Sequence, residues 1–397
     1  MFERALAPAR QTEGSRSRGP RLHILVLTDR DWTHPQAGGT GTHLRANVSR
    51  WLEWGHRVTV VASAYPGAVR HDEDGDLTVH RMGGRTTLFP RAIWKVWRGL
   101  VPDADVALEV INGITFLTPL WLRIPRLALV HHVHREHYRD ELGLLGRIAA
   151  YVLETMPLRR LYRGATFVTV SQASAADVAA HGIPERQISV SYNGVDPVPL
   201  GHGPRTLEPS IVHLGRLKRY KRIEALLDVV EEIPGATLDI VGEGDHRQVL
   251  ELEIASRELG DRVRLHGFVD ERTKMAMLRR SWVHITSSPR EGWGLSVMEA
   301  ATCGTPTVAI AAGGLRESIV HGQTGLLAED VDELAALTRQ VIDDPDLRER
   351  LGSAALMRSH DFNWNRSAET TLRLLARECG TVAVRNGRPT PVQVPAG

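Results

Sequence analysis

Two doubly wound α/β domains facing a central cleft are the fold this sequence predicts, on three observations. Short apolar, β-branched runs alternate with helical stretches along the chain, the rhythm of a mainly parallel sheet. The alternation breaks once, in a Pro- and Gly-rich stretch near the middle, and then restarts. At 397 residues the chain exceeds a typical single domain and accommodates two α/β units.

Composition narrows the class before any motif is read. A hydrophobic content of 42% and a charged content of 24% belong to a folded globular chain, neither disordered nor fibrous. The formal charge of +2 makes no electrostatic case for a nucleic-acid partner and leaves a small anionic ligand open. With only Cys303 and Cys379, no disulfide framework or cysteine-rich zinc site can be built, so a reducing, cytoplasmic setting is expected. Residues 1–20 are rich in Arg and small polar residues, lack an apolar signal core, and are expected to be a flexible tail.

In the first domain, 21–197, strands are expected at 22–28, 58–62, 106–111, 127–130, 167–170 and 188–192. Leu44, Val48 and Leu52 recur every four residues over 42–54 and line one face of a helix. The acidic stretch DEDGD at 72–76 lacks the spacing of a calcium loop and is expected to be a charged loop. Asp103 and Asp105 precede a strand, as in a helix-to-strand connection. Residues 89–100 interleave Trp94 and Trp97 with Arg91, Lys95 and Arg98, a helix suited to weak contact with an anionic membrane, an acceptor wall or an ordinary core position.

The linker is 198–209, where Pro and Gly crowd together and no period survives. In the second domain, 210–360, strands are expected at 211–214, 237–241, 263–265, 283–286 and 307–310, with a helix over 222–232. A helix follows over 361–379, and the Pro- and Gly-rich 380–397 is expected to be disordered. In open parallel sheets ligands sit beyond the carboxyl ends of the strands, so motifs that follow strands carry the functional argument.

The densest of these follows 283–286 and reads SSPREGWGLSVMEAATCGTPTVA. Gly292 and Gly294 free the backbone to approach a ligand, and the helix starting near Leu295 offers unpaired N–H groups to a phosphate. Glu291 and Glu299 stand eight positions apart, suited to holding opposite ends of one elongated ligand, a sugar at one end and a ribose at the other. After 211–214 come Gly215, Arg216, Lys218, Arg219, Lys221 and Arg222, cations placed to neutralise a diphosphate. Gly242 and Gly244 form a glycine turn after 237–241.

These residues resemble the GT-B-fold retaining glycosyltransferases of family 4. The matching pieces are GRLKRYK at 215–221, VGEG at 241–244, HGFV at 266–269 and the E-x7-E segment REGWGLSVMEA with CGTPTVA after it. The resemblance implies that Glu291 holds hydroxyls of the transferred sugar and Glu299 the ribose. It implies that Arg216 and Lys221 grip the diphosphate and stabilise its departure, and that Gly292, Trp293, Gly294 and Leu295 offer backbone contacts to sugar and phosphate. Phe268 and Val269 fall where the base is held, and Gly215 and Gly242 complete the donor site. Trp293 replaces the commoner Phe. The donor implied is a nucleotide sugar, a UDP- or GDP-sugar favoured, with no metal and no further cofactor.

In the first half, AGGTGTH at 37–43 is expected to be a glycine-rich loop running into a helix, with Gly39 on the donor side and Gly41 and Thr42 toward the acceptor. The family pattern often has an acidic residue where Gly41 stands. The strand at 127–130 ends in HHVHREH. A zinc reading of His131, His132, His134 and His137 lacks a completing carboxylate or Cys. The resemblance places His131 near the transferring carbon, with His132 and His134 as acceptor-side candidates beside the reading of all three as structural histidines. Ser171 is an N-cap type residue, expected with Asn193 and Asp196 to line the cleft. The implied partners are a nucleotide sugar and a small-molecule, glycan or lipid-linked acceptor. The rival readings are a nucleotide-sugar-binding scaffold, betrayed by binding without turnover, and a GT-B-like epimerase or phosphorylase, betrayed by release of a 2-epimer or dependence on phosphate.

Overall fold

The computed structural model describes residues 20–84, 86–132, 148, 151–197 and 205–385. Its first sheet is built from β1 His23–Leu27, β2 Arg57–Ala62, β3 His71–Asp74, β4 Leu77–Arg81, β5 Val106–Ile111, β6 Arg126–Val130, β7 Thr166–Thr169 and β8 Ile188–Val190. These eight strands lie in the order β3-β4-β2-β1-β5-β6-β7-β8. The second sheet contains β9 Ser210–Leu214, β10 Thr237–Val241, β11 Val263–Gly267, β12 Val283–Thr286, β13 Thr307–Ile310 and β14 Gly325–Ala328, ordered β11-β10-β9-β12-β13-β14. This is the two-sheet GT-B architecture.

Every strand pairing is parallel except that of β3 with β4. The cause is visible in β1 (HILVL) and β5 (VALEVI), buried at every position because helices cover both faces of the sheet. β1 lies between β2 and β5, and β9 between β10 and β12, so chain direction across each sheet reverses beside its first strand. A crevice opens at such a point, and the motifs after β1, β9 and β12 all fall there.

Three expectations need correction. The charged loop expected at 72–76 is instead strand β3 and the turn of a hairpin with β4. All four β3 residues are exposed, so no alternation marks the strand, and the charges suit an unpaired sheet edge. The loop expected at 37–43 is largely helical, because helix α1 spans Gly38–Glu53. Its buried face is Leu44, Val48 and Trp51, with Leu52 only partly covered. The final helix runs Trp364–Arg385, so residues 380–385 continue it instead of beginning a tail. Residues 1–19, 198–204 and 386–397, expected as tails and linker, lie outside the described residues.

The final helix returns to the first domain. Ala368, Leu372 and Leu375 enter the core formed by Ile24, Leu44, Val48 and Trp51, and Trp51 Nε1 donates to the Ala368 carbonyl at 3.0 Å. The second domain buries its own core around Ile211, Leu226, Leu238, Ile285 and Val308.

Candidate active site

The second-domain wall of the cleft is built from the ends of β9 and β12. Arg216 follows β9, and a tight turn over Arg219–Lys221 carries the next cations. Ser287, just past β12, donates its hydroxyl to the carbonyls of Lys221 and Arg222 at 3.1 and 2.7 Å, tying the two loops together. Lys221 Nζ pairs with Glu291 Oε1, both side chains being largely shielded from water. Burial is the largest influence on the Lys221 pKa and would depress it, but the charge and hydrogen bond of Glu291, together with Tyr220, more than offset it and the value is raised, so the lysine is charged at neutral pH. Arg216 Nη2 donates to the Tyr220 hydroxyl at 3.3 Å.

Glu299 sits in the helix Leu295–Thr302, whose N-cap Gly294 has φ +92°. Its Oε1 accepts from Lys274 Nζ at 2.6 Å, and Lys274 also meets Glu271 at 2.9 Å. Burial pushes the Glu299 carboxyl up, with Lys274 acting against the shift. Each signature carboxylate therefore has its own lysine, and the two face different cations. Gly242 has φ +143°, and a Cβ there would run into the Gly215 carbonyl oxygen, so the glycine turn lies directly on the cationic loop. Phe268 is 88% exposed, while Val269 packs partly buried against Val212, Leu214 and Val241.

The facing wall comes close. A Cβ on Gly38 would lie 3.2 Å from Arg216 Nε, one on Gly39 3.2 Å from Leu295 Cδ1, and one on Gly292 2.5 Å from the His131 carbonyl oxygen. The start of α1 and the end of β6 thus meet the loops that follow β9 and β12. His131 is buried, its carbonyl accepting from Ser174 Oγ at 2.6 Å and its Nε2 lying 3.0 Å from His43 Nδ1. His43 Nε2 in turn lies 2.8 Å from Asn47 Nδ2. Glu317 of the second domain accepts from the N–H groups of Gln172 and Ala173 at 2.9 and 2.8 Å and from the Tyr192 hydroxyl at 3.2 Å, capping a first-domain helix across the cleft.

Several expected site residues are placed differently. The Trp293 ring is buried against Tyr192 and Phe362, at centroid distances of 4.6 and 4.9 Å, so it shapes the domain junction and leaves its backbone for a ligand. Gly41 is buried, and a Cβ there would clash with Ala37 and lie 3.2 Å from Trp32 Cα, so the position has no room for an acidic acceptor contact. Thr42 is exposed, its hydroxyl 3.4 Å from the Gly38 carbonyl. Ser171 is fully buried and caps the helix Gln172–Ala179 by accepting from Ser174 N at 3.0 Å, which removes it as an acceptor-side surface. His132 is partly exposed, and His134 and His137 lie outside the described residues.

His43, Asn47, Lys274 and Glu317 are absent from the sequence-based candidates. His43 and Asn47 share a helix face at a spacing of four, the one signal that points to them. Lys274 and Glu317 meet their partners only through tertiary folding. Among the described residues no group of three or more His, Cys, Asp or Glu is placed to hold a metal ion.

Two Rossmann-like domains with cationic and acidic loops at the switch point of the second define a GT-B glycosyltransferase. Residues 201–358 match the family model described as glycosyl transferases group 1 and residues 37–198 that described as glycosyltransferase family 4, and the chain belongs to the family 4 glycosyltransferases. A D-inositol 3-phosphate glycosyltransferase of Pseudarthrobacter chlorophenolicus is 27% identical, across 89% of this chain and 94% of that protein. A glycogen synthase of Mycobacterium tuberculosis is 33% identical over 47% of this chain, and the chain spans about half of that relative's length, 48%. Among solved structures, sucrose-phosphate synthase from Thermosynechococcus elongatus superposes with a TM-score of 0.76 at 21% identity, covering 90% of this chain and 99% of that one. Anabaena Alr3699/HepE in complex with UDP and glucose gives 0.69 at 19% identity, covering 90% and 100%.

Proposed function

We propose that the chain is a retaining glycosyltransferase that moves a sugar from a nucleotide sugar, a UDP- or GDP-sugar favoured, to a hydroxyl of a small-molecule, glycan or lipid-linked acceptor, forming an α-glycosidic bond. The observation that carries this reading is the closeness of the two walls, with Arg216, Lys221 and Glu291 on one side and His131 with the start of α1 on the other. In this reading the diphosphate lies between Arg216 and Lys221, whose charges stabilise it as the bond from the anomeric carbon to the phosphate oxygen breaks. Glu291, released in part from Lys221, accepts hydrogen bonds from sugar hydroxyls, and Glu299 does the same for the ribose. The solved relative carrying UDP and glucose supports a donor of this class.

A transfer assay with a nucleotide-sugar panel, followed by the anomeric coupling constant of the product, tests the reading. An α-linked product from an α-configured donor is expected. A β-linked product overturns retention, binding without turnover points to the scaffold, and a released 2-epimer or a need for phosphate points to the epimerase or phosphorylase.

A cytoplasmic setting with peripheral membrane contact is part of the same proposal. In the helix Leu88–Trp97, Trp94 and Trp97 are 54% and 66% exposed and neighbour the exposed Arg91, Lys95 and Arg98, with no acidic residue in the helix. Among the described residues no helix is long and apolar enough to cross a membrane. Cosedimentation with anionic but not neutral vesicles is the expected result, and equal recovery with neither vesicle counts against it.

A further inference from the structure

The hydrogen bonds around His43 determine where the protons lie. The ring is fully buried on α1, and its centroid is 5.9 Å from that of Trp364 on the returning helix. Burial first, and the neighbouring His131 second, hold its pKa well below the ordinary imidazole value, so the ring is neutral at pH 7. A neutral imidazole has one N–H and one lone pair. The Asn47 amide turns its nitrogen to His43 Nε2 at 2.8 Å and leaves Oδ1 without a partner; in this orientation Asn47 donates, Nε2 carries the lone pair and the proton sits on Nδ1. That N–H points along a 3.0 Å contact to His131 Nε2, which must therefore accept.

We propose that Asn47 and His43 are positioning residues that fix His131 as the Nδ1–H tautomer, making it a hydrogen-bond donor and taking its Nε2 lone pair out of use as a base. The consequence for transfer rests on the reading of His131 as a residue near the reacting sugar. Its ring is oriented through His43 and its backbone through the Ser174 hydroxyl, so two independent bonds hold it beside Gly292. His131 then contributes a fixed N–H dipole without a proton transfer, the kind of group that stabilises developing charge without reorganising.

Nitrogen-15 shifts of histidine-labelled protein at pH 7 test this, with the His131 signals assigned by their loss in His131→Gln. The expected pattern is a protonated Nδ1 and an unprotonated Nε2 on both His131 and His43. A protonated Nε2 on His131 in the wild type overturns the inference whatever the activity. Asn47→Asp places only an acceptor opposite His43 Nε2 and reverses the chain, so both rings are expected to move to Nε2–H. In that variant kcat falls on the order of tenfold to a hundredfold while donor affinity changes by less than about threefold. His43→Phe keeps the bulk beside Trp364 without the bond, and His131 then shows a mixture of tautomers. An unchanged His131 pattern in both variants overturns the proposal. A wild type with the expected tautomer but no transfer activity contradicts the functional reading and leaves the relay standing.

Discussion

Gly292 lies so close to the His131 carbonyl that a Cβ added to it would stand 2.5 Å from that oxygen. The contact joins the E-x7-E loop of one domain to the strand end of the other. Gly292→Ala must therefore push the walls apart at the point where sugar and acceptor are proposed to meet. The expected outcome is a loss in kcat/KM on the order of a hundredfold with the fold retained. Steady-state kinetics beside a thermal melt checks it, and undiminished kcat/KM would show that the working geometry does not need this contact.

Lys221 and Glu291 pair across two loops, and Glu291 is the carboxylate proposed to hold the sugar. Lys221→Met is expected to lower kcat/KM by about 10²–10³, because a charge aimed at the leaving diphosphate is gone. Arg216→Lys keeps a charge but loses the planar fork, and a smaller loss of roughly tenfold is expected. Comparing the two variants with one donor separates charge from geometry.

Glu317 offers its carboxylate to the first two N–H groups of the helix Gln172–Ala179, which belongs to the other domain. Glu317→Ala removes a cap worth about 1 kcal/mol and is expected to loosen closure more than either domain. Hydrogen exchange at Gln172 and Ala173 should quicken by roughly fivefold to tenfold while exchange in β9 and β12 is unchanged.

Much of the fold was legible because burial on both faces leaves continuous apolar runs. β5, β10, β12 and β13 have the bounds their sequences predict. Two strands escaped because burial does not mark them: β3 is wholly exposed and β4 is only half-covered. β14 is buried at three of its four positions and is as long as β12 and β13, so neither burial nor length accounts for its omission. Of the site, Arg216, Lys221, Glu291 and Glu299 follow strand ends and could be singled out by position. Lys274 could not, since it meets Glu299 only once Glu271–Arg280 packs beside Leu295–Thr302. Ser171 was expected to line the cleft, because a motif gives a residue's place in the chain and not the direction of its side chain.

His213 and His284 stack in the centre of the second sheet, their rings 6.4 Å apart and 5° from parallel. Burial, aided by Lys221, brings His213 from 6.5 down to about 4 despite its bond to the Ile285 carbonyl. Burial and His213 bring His284 down to about 3. Both folded values lie below the unfolded one, so the stabilisation is complete above about pH 6.5 and is lost as pH falls toward 4 and below. By pH 5 the loss is of order 2 kcal/mol per ring. Urea unfolding at pH 7 and pH 5 should show it, and His284→Leu should flatten the dependence.

The central claim is that Glu299 holds the nucleoside end of a nucleotide sugar in the second domain. Calorimetric titration of UDP-, GDP-, ADP- and TDP-sugars into the wild type and Glu299→Ala tests it most directly. The account predicts saturable binding of one nucleotide class, weakened by roughly tenfold to a hundredfold in the variant, the loss of hydrogen bonds to a charged group. Equal affinity in both proteins, or no binding by a folded wild type, would contradict it.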